Sequence, residues 1–224
     1  MRHHPETIVD IGCGTGGSLR GLQKTYPRAR LYAVDLAEQM LRRARSHYRW
    51  LSKKRLVVGD MERLPFREQS FDLVFSSLAL PWCNDLAATL KEFARVSRPG
   101  AMLLFASLGP ATLRELAGSW AAIDARPHVH RFVDMHDVGD LLMAAGFTQP
   151  VVDVETIRLE YRDFRGLLQD LRETGASNAE LGRGRGLTTP AQLRALEQHY
   201  RERGFEQDRF VATCEVVYGH AWAG

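Results

Sequence analysis

The chain has 224 residues, 45% of them apolar and 25% charged, and 30 basic against 27 acidic side chains leave a formal net charge of +3. This is the composition of one globular domain, without the global basicity of a nucleic-acid binder. No apolar run reaches the roughly 18 residues that would span a membrane, and Met1-Arg-His-His-Pro5 has no secretory apolar core.

Along the chain, β-rich apolar runs alternate with amphipathic stretches, which predicts βαβ units around a mostly parallel sheet. The first predicted strand, Thr7–Gly12, runs into Gly12-Cys-Gly-Thr-Gly16, a glycine turn that should open a helix. Glycines let the backbone pass close to a ligand, and a helix N-terminus offers free N–H groups and partial positive charge. The second strand, Arg30–Asp35, ends in an acid 19 residues beyond Gly16. That is near the roughly 20-residue offset at which a carboxylate accepts the ribose hydroxyls of a nucleotide ligand. Leu36, Met40, Leu41 and Ala44 then stripe one face of a helix. The third strand, Arg55–Asp60, ends in a second acid followed by Met61, a pairing suited to an adenine amino group and ring.

A fourth strand is predicted at Phe71–Ser77. A helix from Asp85, with Leu86, Leu90, Phe93 and Ala94 on its apolar face, stops before Arg98-Pro99-Gly100. A fifth strand covers Ala101–Ser107, and Val138, Leu141, Leu142 and Ala145 mark a helix closed by Gly146. A sixth strand lies within Val151–Tyr161, where the apolar phase slips between Val154 and Ile157 and implies a bend. Thr189-Pro-Ala-Gln192 reads as a capping box that starts a helix with Leu193, Leu196 and Tyr200 buried and Gly204 as its stop. Val211–Trp222 is the last strand.

The glycine turn alone leaves the ligand open. Gly12, Gly14 and Gly17 also fit the dinucleotide pattern G-x-G-x-x-G, which points to NAD. Asp10 argues otherwise, because an acid two residues ahead of the turn is a poor neighbour for a pyrophosphate and a good one for a cationic amino group. A cationic amino acid joined to adenosine is S-adenosylmethionine. Its candidate residues are Asp10, Gly12, Cys13, Gly14, Gly16, Asp35, Leu36, Asp60, Met61 and Ser76. The competing reading is the ordinary glycine turn of an α/β fold, with the acids as helix caps. Cys13, Cys83 and Cys214 show no metal spacing and suggest reduced thiols in the cytoplasm. His128, His130 and His136 lack an acid or thiolate at ligand spacing, so no metal is expected. Arginines gather late, at Arg158, Arg162, Arg165, Arg172, Arg183, Arg185, Arg194, Arg201 and Arg203, either as a solvated helical face or as a docking patch for an acidic partner.

Val9-Asp-Ile-Gly-Cys-Gly-Thr-Gly16, Ala33-Val-Asp35, Gly59-Asp-Met61, Phe71-Asp-Leu-Val74 and Arg98-Pro-Gly100 resemble class I S-adenosylmethionine-dependent methyltransferases. The second half is more specific. Pro127-His-Val-His-Arg-Phe132, Asp134-Met-His-Asp137, Ala145-Gly-Phe147, Gly175-Ala-Ser-Asn-Ala179 and Glu215-Val-Val-Tyr-Gly-His-Ala-Trp222 resemble the malonyl-acyl-carrier-protein O-methyltransferases of biotin synthesis. The resemblance implies an α/β Rossmann-like fold with a seven-stranded, mostly parallel sheet in one domain over 1–224. In it 1–107 would form the cofactor half, and 108–224 the acceptor-side helices and last two strands. It implies methyl transfer to the free carboxylate of a malonyl thioester on acyl-carrier protein, with no nucleic-acid or membrane partner.

A malonyl carboxylate is ionised at neutral pH, so no general base is required. It does need an anchor. Arg131, flanked by His128 and His130, is the candidate, against a purely structural pairing of these side chains. Leu80, Trp82 and Trp120 are candidates for the acceptor pocket, against a simple core role. Leu80-Pro81-Trp82 stands where the family more often has Leu-Gln-Trp. Relatives of this kind usually carry a further segment ahead of the first strand, folded over the cofactor, whereas here that strand begins by Thr7. The expectation is a chain that binds cofactor, methylates slowly and tends to associate. The other readings are a methyltransferase-fold protein of respiratory complex I assembly, a cofactor-binding protein without transferase activity, and an NAD oxidoreductase.

Overall fold

Five residues buried in succession, Thr7–Ile11, form β1 at the centre of the sheet. β2 (Arg30–Asp35) and β4 (Phe71–Ser77) flank it in parallel, with Asp10 opposite Ala33 on one side and Phe75 on the other. β3 (Leu56–Val58) continues the sheet beyond β2, and β5 (Ser97–Leu108) runs parallel to β4. The computed structural model describes residues 4–47, 55–173 and 189–224. The Gly175–Ala179 motif, Arg183 and Arg185 lie outside the described residues.

The described chain forms two compact units. The first comprises Met1–Ser107, Met135–Asp153 and Val217–Gly224, and the second Leu108–Asp134 and Val154–Val216. In the first, α1 (Leu19–Thr25), α2 (Glu38–His47) and α3 (Leu86–Val96) connect the parallel strands. The strand order β3-β2-β1-β4-β5-β8-β6 is completed by β6 (Phe147–Tyr161) and β8 (Arg209–Ala223). Strand order therefore reverses between β1 and β4, the place where open α/β sheets leave a ligand crevice at their C-terminal edge. Ile8, Leu19, Leu22, Leu31, Leu41 and Leu73 pack one core of this unit. α5 (Met135–Ala144) packs on α3. Gly146, at φ +98°, ends α5 as expected and donates its N–H to the Met143 carbonyl.

In the second unit α4 (Arg114–Ala121) packs against α7 (Pro190–Gly204), and α6 (Phe164–Glu173) completes the helices. The rings of Phe164, Tyr200 and Phe210 meet at 5.2–6.1 Å, and the Tyr200 hydroxyl donates to the Val211 carbonyl at 2.9 Å. The Thr189–Gln192 capping box forms as expected, with Pro190 in the first turn. β7 (Phe205–Glu206) pairs antiparallel with Arg209 and Phe210 of β8, adding a short eighth strand to the seven expected.

Several sequence expectations change. β3 ends at Val58: the Gly59 N–H makes a last bond to the Asp35 carbonyl, and the chain then turns at Asp60. β5 starts earlier than expected and absorbs Arg98-Pro99-Gly100 as a bulge. Phe71 and Leu73 face Ser97 and Met102, and Gly100 takes φ +76°. Leu36 precedes α2 and is 70% exposed, Met40 lies at the edge of the stripe, and Leu41 and Ala44 carry its burial. Leu193 is exposed in the first turn of α7, whose buried line is Leu196, Tyr200 and Gly204. Gly204 is required for space: an added Cβ would lie 2.7 Å from the Tyr200 ring and 2.9 Å from the Val211 carbonyl. β6 shows the expected slip, its partly buried positions moving from Val152 and Val154 to Ile157 and Tyr161.

Gly219 on β8 sits against a ring, since its added Cβ would stand 2.2 Å from Phe105. Gly219→Ala is expected to destabilise the protein by about 1–3 kcal/mol through overpacking. Adding Phe105→Leu should return part of that loss. Urea unfolding of the single and double variants checks this, and additive losses would show that the two residues do not share the space.

Candidate active site

The glycine turn is fastened from below. The Gly12 and Cys13 N–H groups both donate to the Val34 carbonyl, at 2.8 and 3.0 Å, so the end of β1 is tied to the end of β2. Gly12, Gly14 and Gly16 have φ of +72°, +54° and +87°, which only glycine adopts without strain. At Gly12 space is also closed, because a Cβ would lie 2.2 Å from the Ala79 Cβ and 3.8 Å from the Met61 methyl. At Gly14 nothing stands within 4 Å of that position, so this side of the turn is open to a ligand.

Asp35 closes the turn from the next strand. One carboxylate oxygen accepts from the Gly14 N–H at 2.7 Å and the other from the Ala37 N–H at 2.8 Å. A carboxylate has further lone pairs for two hydroxyls. Leu36 is exposed beside it, free to cover an aromatic ring. Asp60 is exposed and accepts from the Glu62 N–H at 3.0 Å, while Met61 is half-buried and reaches toward Gly12. Ser76 is fully buried and donates to the Ile11 carbonyl at 3.0 Å. That bond ties β4 to β1 at the reversal of strand order, so Ser76 supports the turn from beneath.

Asp10 is the unusual group. It is 1% exposed, and its carboxylate accepts from the Ser18 hydroxyl. Burial pushes its pKa up to about 7, the Ser18 bond opposes the shift, and the nearby Asp35 charge adds to it. Burial likewise pushes the Cys13 thiol up, with Asp10 and Asp35 adding to the shift, which makes it an inert apolar wall. A buried carboxylate under this strain favours a cationic ligand. With the open face at Gly14 and the acceptor capacity of Asp35, these residues fit the amino, sulfonium and ribose groups of S-adenosylmethionine.

Sequence reasoning missed the braces of this site. Leu78 takes φ +56° at the end of β4 and delivers Ala79 against Gly12. Glu62 accepts from Asn84 Nδ2 at 3.1 Å and the Asp85 N–H at 3.3 Å, fixing the loop of Asp60 and Met61 to the turn after Leu80–Trp82. In that turn Leu80 is buried, whereas Trp82 is 48% exposed rather than a core residue. No local pattern in the sequence announces these contacts.

Four of the acceptor candidates, Trp120, His128, His130 and Arg131, line a cleft of about 720 Å³ in the second unit, whereas Leu80 and Trp82 belong to the first. His128 lies flat on the Trp120 ring, with centroids 3.8 Å apart and planes 7° apart, and its Nε2 stands 2.8 Å from Asp124 Oδ1. His130 meets Phe132 edge-on at 5.4 Å. Arg131 is exposed at the wall. Among the described residues no group of His, Cys, Asp or Glu could hold a metal, and no helix is long and apolar enough to cross a membrane. Three of the late arginines pair with glutamates at the surface, Arg158 with Glu206, Arg201 with Glu197 and Arg203 with Glu202. Such exposed pairs contribute little stability.

The raised pKa of Asp10 sets a sign for stability. Its folded value of about 7 exceeds the ordinary carboxylate value of 3.8, so the folded protein holds this proton more tightly. The stabilisation is full below about pH 4 and lost as pH rises through 7. Asp10→Asn without ligand should therefore be more stable than the parent at pH 8, by at most on the order of 4 kcal/mol. The advantage should shrink toward pH 4, while affinity for S-adenosylmethionine falls. Melting curves and calorimetry across that range check both signs, and an Asn variant that binds as tightly as the parent would contradict the role of the charge.

Comparison with known proteins agrees with this geometry. Residues 9–105 match the methyltransferase domain family. The chain is 48% identical over 223 residues to the malonyl-acyl-carrier protein O-methyltransferase of Halorhodospira halophila, covering 99% of this chain and 76% of that protein. It is 44% identical to the enzyme of the same name from Gallionella capsiferriformans, covering 99% and 78%. Among solved structures, the YcgJ protein of Bacillus subtilis superposes with a TM-score of 0.70 at 16% identity, covering 99% of this chain and 93% of that one, a likeness of fold. Nothing in these comparisons favours a respiratory assembly protein or an NAD oxidoreductase. The matched methyltransferase domain and near-full-length identity to these enzymes lead to one conclusion: the chain is an S-adenosylmethionine-dependent methyltransferase and belongs to the malonyl-acyl-carrier protein O-methyltransferase family.

Proposed function

We propose that the protein methylates the free carboxylate of a malonyl group carried as a thioester on acyl-carrier protein, giving a methyl ester that enters pimeloyl synthesis for biotin. The observation that carries this reading is the 48% identity across nearly the whole chain to an enzyme of that name. The cationic cleft of the second unit adds the chemistry that a carboxylate requires. The cofactor supplies an electrophilic methyl on a positive sulfur, to which a carboxylate oxygen gives an electron pair as the sulfur–carbon bond breaks. The protein's own work is alignment and exclusion of water, since the carboxylate arrives ionised and no proton moves.

Asp35 takes the ribose hydroxyls, Asp10 the charge of the amino acid end, and Leu36 and Met61 the adenine. Gly12, Gly14 and Gly16 allow the close approach, and Asp60 meets the adenine amino group. Arg131 holds the malonyl carboxylate through two parallel bonds, for which its planar fork is suited. The stacked and carboxylate-held His128, with His130, shapes that wall. Three cysteines, none in a disulfide, suit a cytoplasmic setting, and a net charge of +3 calls for no nucleic-acid partner.

The direct test is mass spectrometry of malonyl-carrier protein after incubation with the chain and S-adenosylmethionine. The gain of one methyl group is expected, with none on acetyl-carrier protein; equal gain on both would exclude the carboxylate as acceptor.

Two substitutions separate the sites. Asp35→Ala should weaken cofactor binding at least about tenfold, the worth of one charge-assisted bond. Arg131→Lys keeps the charge and loses the fork, and should cut transfer to malonyl-carrier about tenfold with cofactor affinity unchanged. Unchanged transfer in the lysine variant would remove Arg131 as the anchor.

A further inference from the structure

The loop between β3 and β4 is held at its two ends by different means. Its far end belongs to α3. The Leu64 N–H donates to Glu92 at 2.9 Å. The Arg95 guanidinium, paired with Glu92 at 2.7 Å, donates to the Leu64 and Phe66 carbonyls at 3.1 and 2.9 Å. Leu64 is buried, and Pro65 closes on Gly59, where an added Cβ would stand 2.8 Å from the proline ring. These contacts hold Leu64, Pro65 and Phe66 without drawing on the side chains of Asp60 or Met61.

The near end, which carries Asp60 and Met61, is joined to α3 by Glu62. The Glu62 N–H donates to Asp60 Oδ1 at 3.0 Å and orients that carboxylate. The Arg63 N–H closes the turn on the Asp60 carbonyl at 3.1 Å, within the loop. The Glu62 side chain ties that turn to another element. Its Oε1 accepts from the Asn84 N–H, from Asn84 Nδ2 at 3.1 Å and from the Asp85 N–H at 3.3 Å. Asp85 is itself fixed, because its carboxylate accepts from the Ala88 N–H at 3.0 Å and caps α3. Three donors thus converge on one oxygen, beside a helix N-terminus that favours negative charge. Asp60 is exposed, and an exposed acid on a loose turn has many directions open to it. Through Glu62, the start of α3 selects one of them.

We infer that Glu62 is a positioning residue for the cofactor's base: by holding Asp60 in one direction, it makes the site select a 6-amino purine over a 6-oxo purine. This rests on the reading that Asp60 meets the adenine amino group. A carboxylate accepts from an amino hydrogen. Facing a 6-oxo group, it sets two acceptors together with no proton between them. That repulsion discriminates only while the acid is unable to turn aside. A released Asp60 would swing into solvent or toward the N1–H of the oxopurine, and the penalty would vanish. Glu62 acts through Asp60 and not by touching the base.

Calorimetry with S-adenosylhomocysteine and S-inosylhomocysteine reads this selection directly, with no transfer step involved. The parent should bind the adenosyl compound at least about tenfold more tightly, the worth of one charge-assisted bond. Glu62→Ala should bring the two affinities to within about threefold of each other. Glu62→Gln keeps the accepting oxygen and should hold the parent ratio. Glu62→Asp keeps the charge but is one methylene shorter, so it should behave as alanine does, and it serves in place of an alanine variant that does not fold. A purely structural role would weaken both ligands by the same factor and leave the ratio untouched. That result, or a glutamine variant that loses the ratio along with alanine, would overturn the role of Glu62. A parent that binds both ligands equally would overturn the reading of Asp60, and the inference with it.

Discussion

The first unit depends on a single carbonyl. Val34 is the last buried residue of β2, and its oxygen accepts from both Gly12 and Cys13, the first two residues of the turn. Without that bifurcated hold, β1 would run on past Ile11 and the turn would have no fixed depth. With it, the next residue of β2, Asp35, is placed to accept the Gly14 N–H at 2.7 Å. The residue that orients the turn is also the acid available to a ribose. Ser76 repeats the arrangement from the other neighbour by holding the Ile11 carbonyl. The C-terminal edges of β2, β1 and β4 are therefore locked to one another by groups of the chain itself, as a preorganised site requires.

Preorganisation of this kind has a cost that falls on Asp10. A short β1 buried along its whole length places the acid where water does not reach, and among the described residues the fold gives it a serine hydroxyl and the nearby charge of Asp35. An apolar side chain there would give a more stable free protein. The acid stands at a position where a cation arriving from outside would compensate its charge. Stability and ligand affinity are thus set in opposition at one residue, the usual relation at a functional site.

Much of this was legible in the sequence because it is local. The glycine turn, the acid at the end of β2, the capping box at Thr189 and the helix stop at Gly146 each depend on residues within a few positions of one another, where spacing maps onto geometry. The places where reading failed depend on contacts that spacing does not encode. Ala79 closes on Gly12 across 67 positions, next to the left-handed Leu78. Leu193 fits a helical stripe by count but falls in the first turn of α7, outside the line that packs. The stack of Trp120 on His128 and the grip of Asp124 join the end of a helix to an irregular loop, where no periodicity applies.

That the reaction calls for no nucleophile–base pair has a physical root. A reaction whose nucleophile is an ionised carboxylate asks for no proton transfer, so selection for acid–base pairs at matched pKa has nothing to act on. What it does ask for is that a hydrated anion be stripped of water and held still. The protein can offset that desolvation only with fixed donors, and guanidinium groups on a braced loop are such donors. Asp124 belongs to this logic despite its sign. By accepting from the Arg126 N–H and gripping His128, it gives the loop a defined shape, and the neighbouring cations are presented in one arrangement rather than many. A negative charge at the wall of a cleft rich in arginine then serves order at the expense of attraction. The exchange favours the enzyme when the rate is limited by the alignment of a nucleophile and not by the strength with which it is bound.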